Sequence, residues 1–493
     1  MKILLNIMMN MNFSVKRLLP FIVSVSFCSA LPSQGAASLQ PASLQTASVS
    51  AVRFAADPRI PGEAVTGGVM DAELFARTAL IASGASEEEI PLLLEKLHEA
   101  YAAAAPQISE GGDSAGRAEK ALSLLYENLL SSYSDTQTRV DTAITSGVYN
   151  CVSSDILFMY FMKRQGIPVV AVETPLHAFC TVSAGGRNID VETTNPYGFD
   201  PGVKKELSSG SSPRKKYVTV PAKNYANRRN VDDRRIISLI YNNRMSMLQQ
   251  QKKDYETIGL AVDAVKLQDN SSLSLTTFFQ CVYNAAVDCT DKGKDEDGLA
   301  LVAQAEELFG DSPVYHSYAS AAVGNILNRY MKDNDYDGSF AVLEKYRPRL
   351  DEGDYRDMYE GTLVNSLNYA VSTQPLTEAL ALIIRNKPAL PENEYVKLAA
   401  FAYSNAAANI ADTGAWLDAA ALLERGLQAL PDAGVLANQR GIYRRNYAAE
   451  VHNRAASLYN SGDRQGALNV VQQGLLQVSD SAVLQNDLKR LQQ

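Results

Sequence analysis

From residue 71 onward the apolar positions first fall at helical spacing. Segments 71–83, 86–105 and 114–131 each carry an apolar stripe, as at Leu93, Leu94, Leu97 and Tyr101. Ser86, Glu88 and Glu89 head the second, and Gly111-Gly112 separates it from the third. They predict three helices that cap whatever follows. At Asn150, a good N-cap residue, the pattern changes: positions 156–162 are apolar on all sides, and Gly166 and Pro168 forbid continuation. A buried helix that opens on Cys151 is predicted. The period then drops to two, and 169–173, 177–183 and 187–193 read as strands, the last two joined by a short turn containing Gly185 and Gly186.

The second half of the chain repeats. Asn243, Asn284, Asn325, Asn365, Asn405 and Asn453 recur at intervals of 41, 41, 40, 40 and 48, and fourteen residues beyond each of the last five lies a small residue, Gly298, Ser339, Ala379, Ala419 or Ala467. In the clearest pair Ala419 meets Ala467, Gly426 meets Gly474 and Leu436 meets Leu484. A period near 40 with two amphipathic helices per unit is a solenoid signature, and small residues at fixed phase let paired helices approach closely. The segment 236–493 resembles a degenerate tetratricopeptide-type (TPR-like) array of about six repeats, with a longer period and without the full Trp-Leu-Gly-Tyr signature. The repeated Asn residues are read as packing or capping positions rather than ligands on a concave face.

Candidate chemistry sits in 147–201. In the first turn of its helix, Cys151 meets unpaired N–H groups and the positive end of the dipole, which favour a negative sulfur. Side chains alternate along a strand, so His177, Phe179 and Thr181 share one face and Cys180 points into the core. If 183–186 form a four-residue loop, His177 lies opposite Glu192 with Asp190 one diagonal step away. Asn188, Asp190 and Glu192 then face the histidine side, while Ile189 and Val191 face the core.

These residues carry a resemblance. Tyr149-Asn150-Cys151-Val152-Ser153-Ser154, Glu173-Thr174-Pro175-Leu176-His177-Ala178-Phe179 and Asp190-Val191-Glu192-Thr193-Thr194-Asn195-Pro196 look like bacterial proteins of the transglutaminase-like cysteine hydrolase superfamily. The resemblance implies a papain-like α+β core, with Cys151 as nucleophile, His177 as general base and acid, and Asp190 as the residue that orients the ring. Glu192 is the alternative acid. The Cys151 N–H and the Asn150 side chain are the candidate oxyanion donors. Phe179 stands where many members carry Trp, and the chain's one Trp, Trp416, is far away, which favours hydrolysis over transamidation.

The remaining features bound the setting. A net charge of -9 argues against a general nucleic-acid binder, and no stretch after the N-terminus is long and apolar enough to span a membrane. Lys16 and Arg17 precede an apolar run, and Gly35-Ala36-Ala37 offers a cleavage site, so 1–37 reads as a signal peptide of an exported, periplasmic or extracellular protein. A lipoprotein alternative would use Cys28, but Phe27 is too large for the usual lipobox; Met11 is an alternative start. Segment 38–70 reads as a linker, 71–235 as the catalytic domain with its helical cap. Cys151, Cys180, Cys281 and Cys289 are expected to be free thiols, and the four histidines are isolated from co-ligands, so neither a metal nor a cofactor is assigned. Segment 204–235 holds ten Lys or Arg against three acidic residues, read as a solvated or internally paired face, with another strand over 217–221.

The expected architecture is thus an α+β papain/transglutaminase-like domain with an N-terminal helical cap, followed by an all-α TPR-like solenoid. Two functions fit. One is a cysteine hydrolase that cleaves an amide in a peptide or protein substrate and uses the repeats to bind protein. The other is a catalytically inactive envelope adaptor in which both domains bind partner proteins.

Overall fold

The computed structural model of the chain describes residues 52–201, 220 and 222–493. The expected signal segment 1–37 with Cys28, positions 38–51 and, Val220 excepted, the strand expected over 217–221 lie outside the described residues. The described part is mostly helical with a small sheet region. The chain divides into two units, Met1–Tyr315 and His316–Gln493.

In the first unit the three expected helices form as Ala72–Ser83, Glu89–Ser109 and Ser114–Asn128, the first capped by the Asp71 carboxylate on Leu74 N–H and the third by Asp113 on Gly116 N–H. They surround the helix Cys151–Arg164, whose residues from Val152 to Met162 are all buried. That explains why its sequence is apolar on every side: cap helices take one flank and the sheet takes the other. Strands β1 (Ser132–Tyr133) and β2 (Val148–Tyr149) form a short parallel pair just before this helix. The main sheet holds β3 (Val169–Thr174), β4 (His177–Ala184), β5 (Arg187–Val191) and β6 (Arg229–Val231) in the order β5-β4-β3-β6, with every neighbour antiparallel.

Two expectations about boundaries are corrected. Residues 52–70 are not a loose linker: Ile60, Ala64, Val65 and Met70 are buried, and Arg53 makes two hydrogen bonds of 2.8 and 2.7 Å to the Asp263 carboxylate. These contacts span about two hundred residues of chain, so no local periodicity announces them. Nor does the first unit stop at residue 235. The helix Asp233–Gln250 packs on Ala72–Ser83, on the Cys151 helix and on β3, with Asp233 accepting from Lys163 Nζ and from Met70 N–H, each at 2.7 Å.

From Asp233 to Gln477 the chain runs as six helix pairs, with a last helix over Ala482–Gln492. The recurring Asn residues all lie on the first helix of a pair and the small residues on the second, where Ser339, Ala379, Ala419 and Ala467 are at most 1% exposed. Asn405 Nδ2 donates to the Val371 carbonyl of the preceding pair at 3.0 Å, a packing role of the kind expected. Cys281 and Cys289 share the helix Ser272–Asp291, buried and unbridged.

The repeated glycines test this close approach. A Cβ at Gly474 would lie 2.6 Å from Val451 Cγ1 and 3.0 Å from Leu484, and one at Gly426 would lie 2.9 Å from the Tyr403 ring and 3.0 Å from Leu436. Gly474→Ala and Gly426→Ala are each expected to cost about 1–3 kcal/mol in urea unfolding through overpacking. Gly434→Ala, with nothing within 4 Å, should be neutral or stabilising; equal effects at all three positions would refute this account.

Candidate active site

Cys151 is the first residue of its helix. Asn150 Oδ1 accepts from Ser153 N–H at 3.0 Å and Ser153 Oγ accepts from Asn150 N–H at 3.0 Å, a reciprocal capping box that fixes where the helix begins. Cys151 is half-buried, whereas Cys180, Cys281 and Cys289 are buried. Asn150 is 3% exposed and its side-chain oxygen belongs to the cap. Only its amide nitrogen is left to face a substrate.

His177 opens β4 and is 9% exposed. Its Nε2 lies 2.8 Å from Glu192 Oε2, and Cys151 is the other group whose hydrogen bonding and charge act on the ring. With Nε2 committed to the carboxylate, Nδ1 is the ring nitrogen left for a second partner. Burial alone would drive the proton off the ring, but Cys151 and Glu192 outweigh it and push the imidazole up to about 11. Burial likewise works against a charge on Glu192. Hydrogen bonds from His177, Thr194 and Tyr225 overcome it and hold the carboxyl below its usual range.

Here the expected acid is corrected. The β4–β5 hairpin closes through a two-residue turn at Gly185 and Gly186, whose φ angles of 58° and 79° suit the primed turns that match strand twist. Compared with a four-residue loop, this moves the pairing by two positions. Asp190 therefore faces Thr181, out of reach of His177, and Glu192, no longer directly opposite the ring, keeps the contact with it. Asp190 accepts from Arg228 at 2.7 and 2.8 Å and from Thr181 Oγ1 at 3.0 Å, and Arg228 holds its carboxyl below the ordinary value. Arg229 and Arg235 both meet Glu173, and Arg234 meets Asp232. The described arginines of the basic stretch are thus paired internally.

Several residues around this group were not singled out from the sequence. Glu192 Oε1 accepts from Thr194 N–H at 3.1 Å and from Thr194 Oγ1 at 2.6 Å, and Oε2 also accepts from Tyr225 at 2.6 Å. Tyr225, on the 3-10 turn Ala222–Tyr225, stands edge-on to both His177 and Phe179. Burial first, then the charge of Cys151, raises the phenol of Tyr133 on β1. Asp155, one turn beyond Cys151, has no exposed surface. Thr193 and Thr194 stood in the quoted motif, and Asp155 was legible as a lone acid at the edge of an all-apolar run. Tyr133 and Tyr225 come from distant segments with no local signal.

Glu192→Gln should cost about 3–5 kcal/mol at pH 7 in urea unfolding, since it removes one partner of a buried charge pair. Asp190→Asn, at a half-exposed pair, should cost about 1 kcal/mol or less. The Glu192 carboxyl is depressed in the folded state, so its contribution is present above its ordinary value of 4.5 and is lost as the pH falls further. The gap between wild type and Glu192→Gln should therefore close in acid, and the reverse ranking of the two variants would show the wrong carboxylate on His177. Comparison with known proteins adds no kinship: no protein-family model matches the chain, and no curated protein is significantly similar to it.

Proposed function

We propose that the chain is an exported cysteine hydrolase with a transglutaminase-like, papain-like α+β core, acting on an amide bond in a peptide or protein. The observation that carries this reading is a half-buried cysteine at a helix tip that acts on an imidazole whose Nε2 is bound to a buried carboxylate. In this reading His177 takes up the thiol proton as the sulfur attacks and returns it to the leaving group.

The Cys151 sulfur adds to the amide carbon, and the carbonyl oxygen takes the negative charge, met by the Cys151 N–H at the helix tip and the Asn150 amide nitrogen. Collapse breaks the C–N bond as His177 gives its proton to the leaving amine, leaving a thioester on Cys151. Water, losing a proton to the now neutral His177, attacks the thioester; the acid departs, and Cys151 and His177 return to their starting state. Glu192 holds the ring in one orientation through both half-reactions and stabilises its charged form.

In this reading the helix pairs are TPR-like repeats that bind protein. A cavity of about 480 Å³ between helices of the second unit, lined by Tyr336, Phe340, Tyr359 and Tyr369 among others, supports that role. No helix among the described residues is long and apolar enough to cross a membrane.

Alkylation by iodoacetamide, read peptide by peptide in a mass spectrometer, tests the proposal. Cys151 should react at least tenfold faster than Cys180, Cys281 and Cys289, and His177→Ala should abolish the advantage. Slow, uniform labelling of all four would favour the adaptor function instead.

A further inference from the structure

Asp155 is the one group at this site that the proposed chemistry leaves unexplained. Its carboxyl is fully buried, and Oδ2 has no hydrogen-bond partner among the described residues. The titratable groups around it are Cys180, which donates to Oδ1 at 3.4 Å, and Glu192, His177 and Tyr225, with Cys151 one turn away on the same helix. An apolar side chain of the same size would fill the position without the cost of burying a carboxyl.

What Asp155 does is join two elements. Thr193 Oγ1 donates to Asp155 Oδ1 at 2.6 Å and lies 2.8 Å from Ser154 Oγ, so two adjacent residues of the Cys151 helix grip the residue next to Glu192. Tyr126 closes the far side by donating to the Thr193 carbonyl at 2.7 Å. Beyond Val191 the strand has ended; the Glu192 N–H still bonds the Gly198 carbonyl at 2.8 Å, and these side-chain bonds add the link to the Cys151 helix.

We propose that Asp155 is a positioning residue of this site: its carboxyl ties the helix carrying Cys151 to the segment carrying Glu192 and so fixes the carboxylate against His177. The inference rests on the catalytic reading above for its purpose, but its geometry stands without turnover. Two carboxyls share a dry site, and their surroundings divide them. Glu192 has three donors and keeps its charge, while Asp155 is pushed by burial up to about 8 and is a neutral acid at pH 7. A neutral acid can bind Thr193 without competing with Glu192 for the imidazolium.

The test follows the His177 ring by NMR titration of the full chain, its resonance among four histidines assigned with His177→Gln. In wild type and in Asp155→Asn, which keeps the accepting oxygen, the ring should remain protonated through pH 9. In Asp155→Leu, and in Thr193→Val, which cuts the same tie from the other end, its midpoint should fall by at least one pH unit. Thr193→Val carries the test if the leucine variant does not fold. An unchanged His177 titration in the variants that fold would overturn the proposal. Cys151 alkylation, read in parallel, separates the two claims: slow labelling in wild type with the His177 shifts intact would remove the hydrolase and leave the positioning role standing.

Discussion

A buried imidazole and a buried carboxylate 2.8 Å apart are each tolerable only because of the other. Either charge alone would have to neutralise or reach water, and neither can reach water, with 5% and 6% of their side chains exposed. The first unit is organised around meeting this constraint. The sheet brings His177 to the start of β4, a tight turn sets the register that delivers Glu192, and Tyr225 and Thr194 occupy the carboxylate's remaining capacity. The helix tip adds Cys151, whose hydrogen bonding and charge also raise the ring.

What could be read from the sequence followed from local rules. Asn150 as a cap, Cys151 as the first residue of a buried helix, and the alternation of His177, Phe179 and Thr181 all depend on neighbours within a few residues. The acid was misplaced because register depends on turn length, and a Gly-Gly pair flanked by Ser183 and Ala184 is compatible with either a two-residue or a four-residue connection. The four-residue choice puts Glu192 opposite the ring with Asp190 one diagonal step away, whereas the two-residue choice carries Asp190 out of reach and leaves Glu192 as the ring's acid. Arg228 confirms the second from a distance, since it claims Asp190 with a bidentate pair that no local pattern in β5 predicts.

The helical part shows the same division. Recurring Asn and small residues gave the pairing and the phase, because close helix packing imposes a size limit at fixed intervals. The boundary was missed because Asp233–Gln250 looks like any other first helix of a pair, while its partners, Met70, Lys163 and β3, lie far back in the chain. Residues 52–70 escaped notice for the same reason, as Arg53 and Asp263 form an ion pair that composition cannot reveal.

Everything turns on whether one ring keeps its proton between sulfur and carboxylate. The most direct measurement is the NMR titration of His177 in the unmodified protein. The account predicts an imidazolium that persists well above pH 8; a ring that titrates near the ordinary value of 6.5 would contradict it.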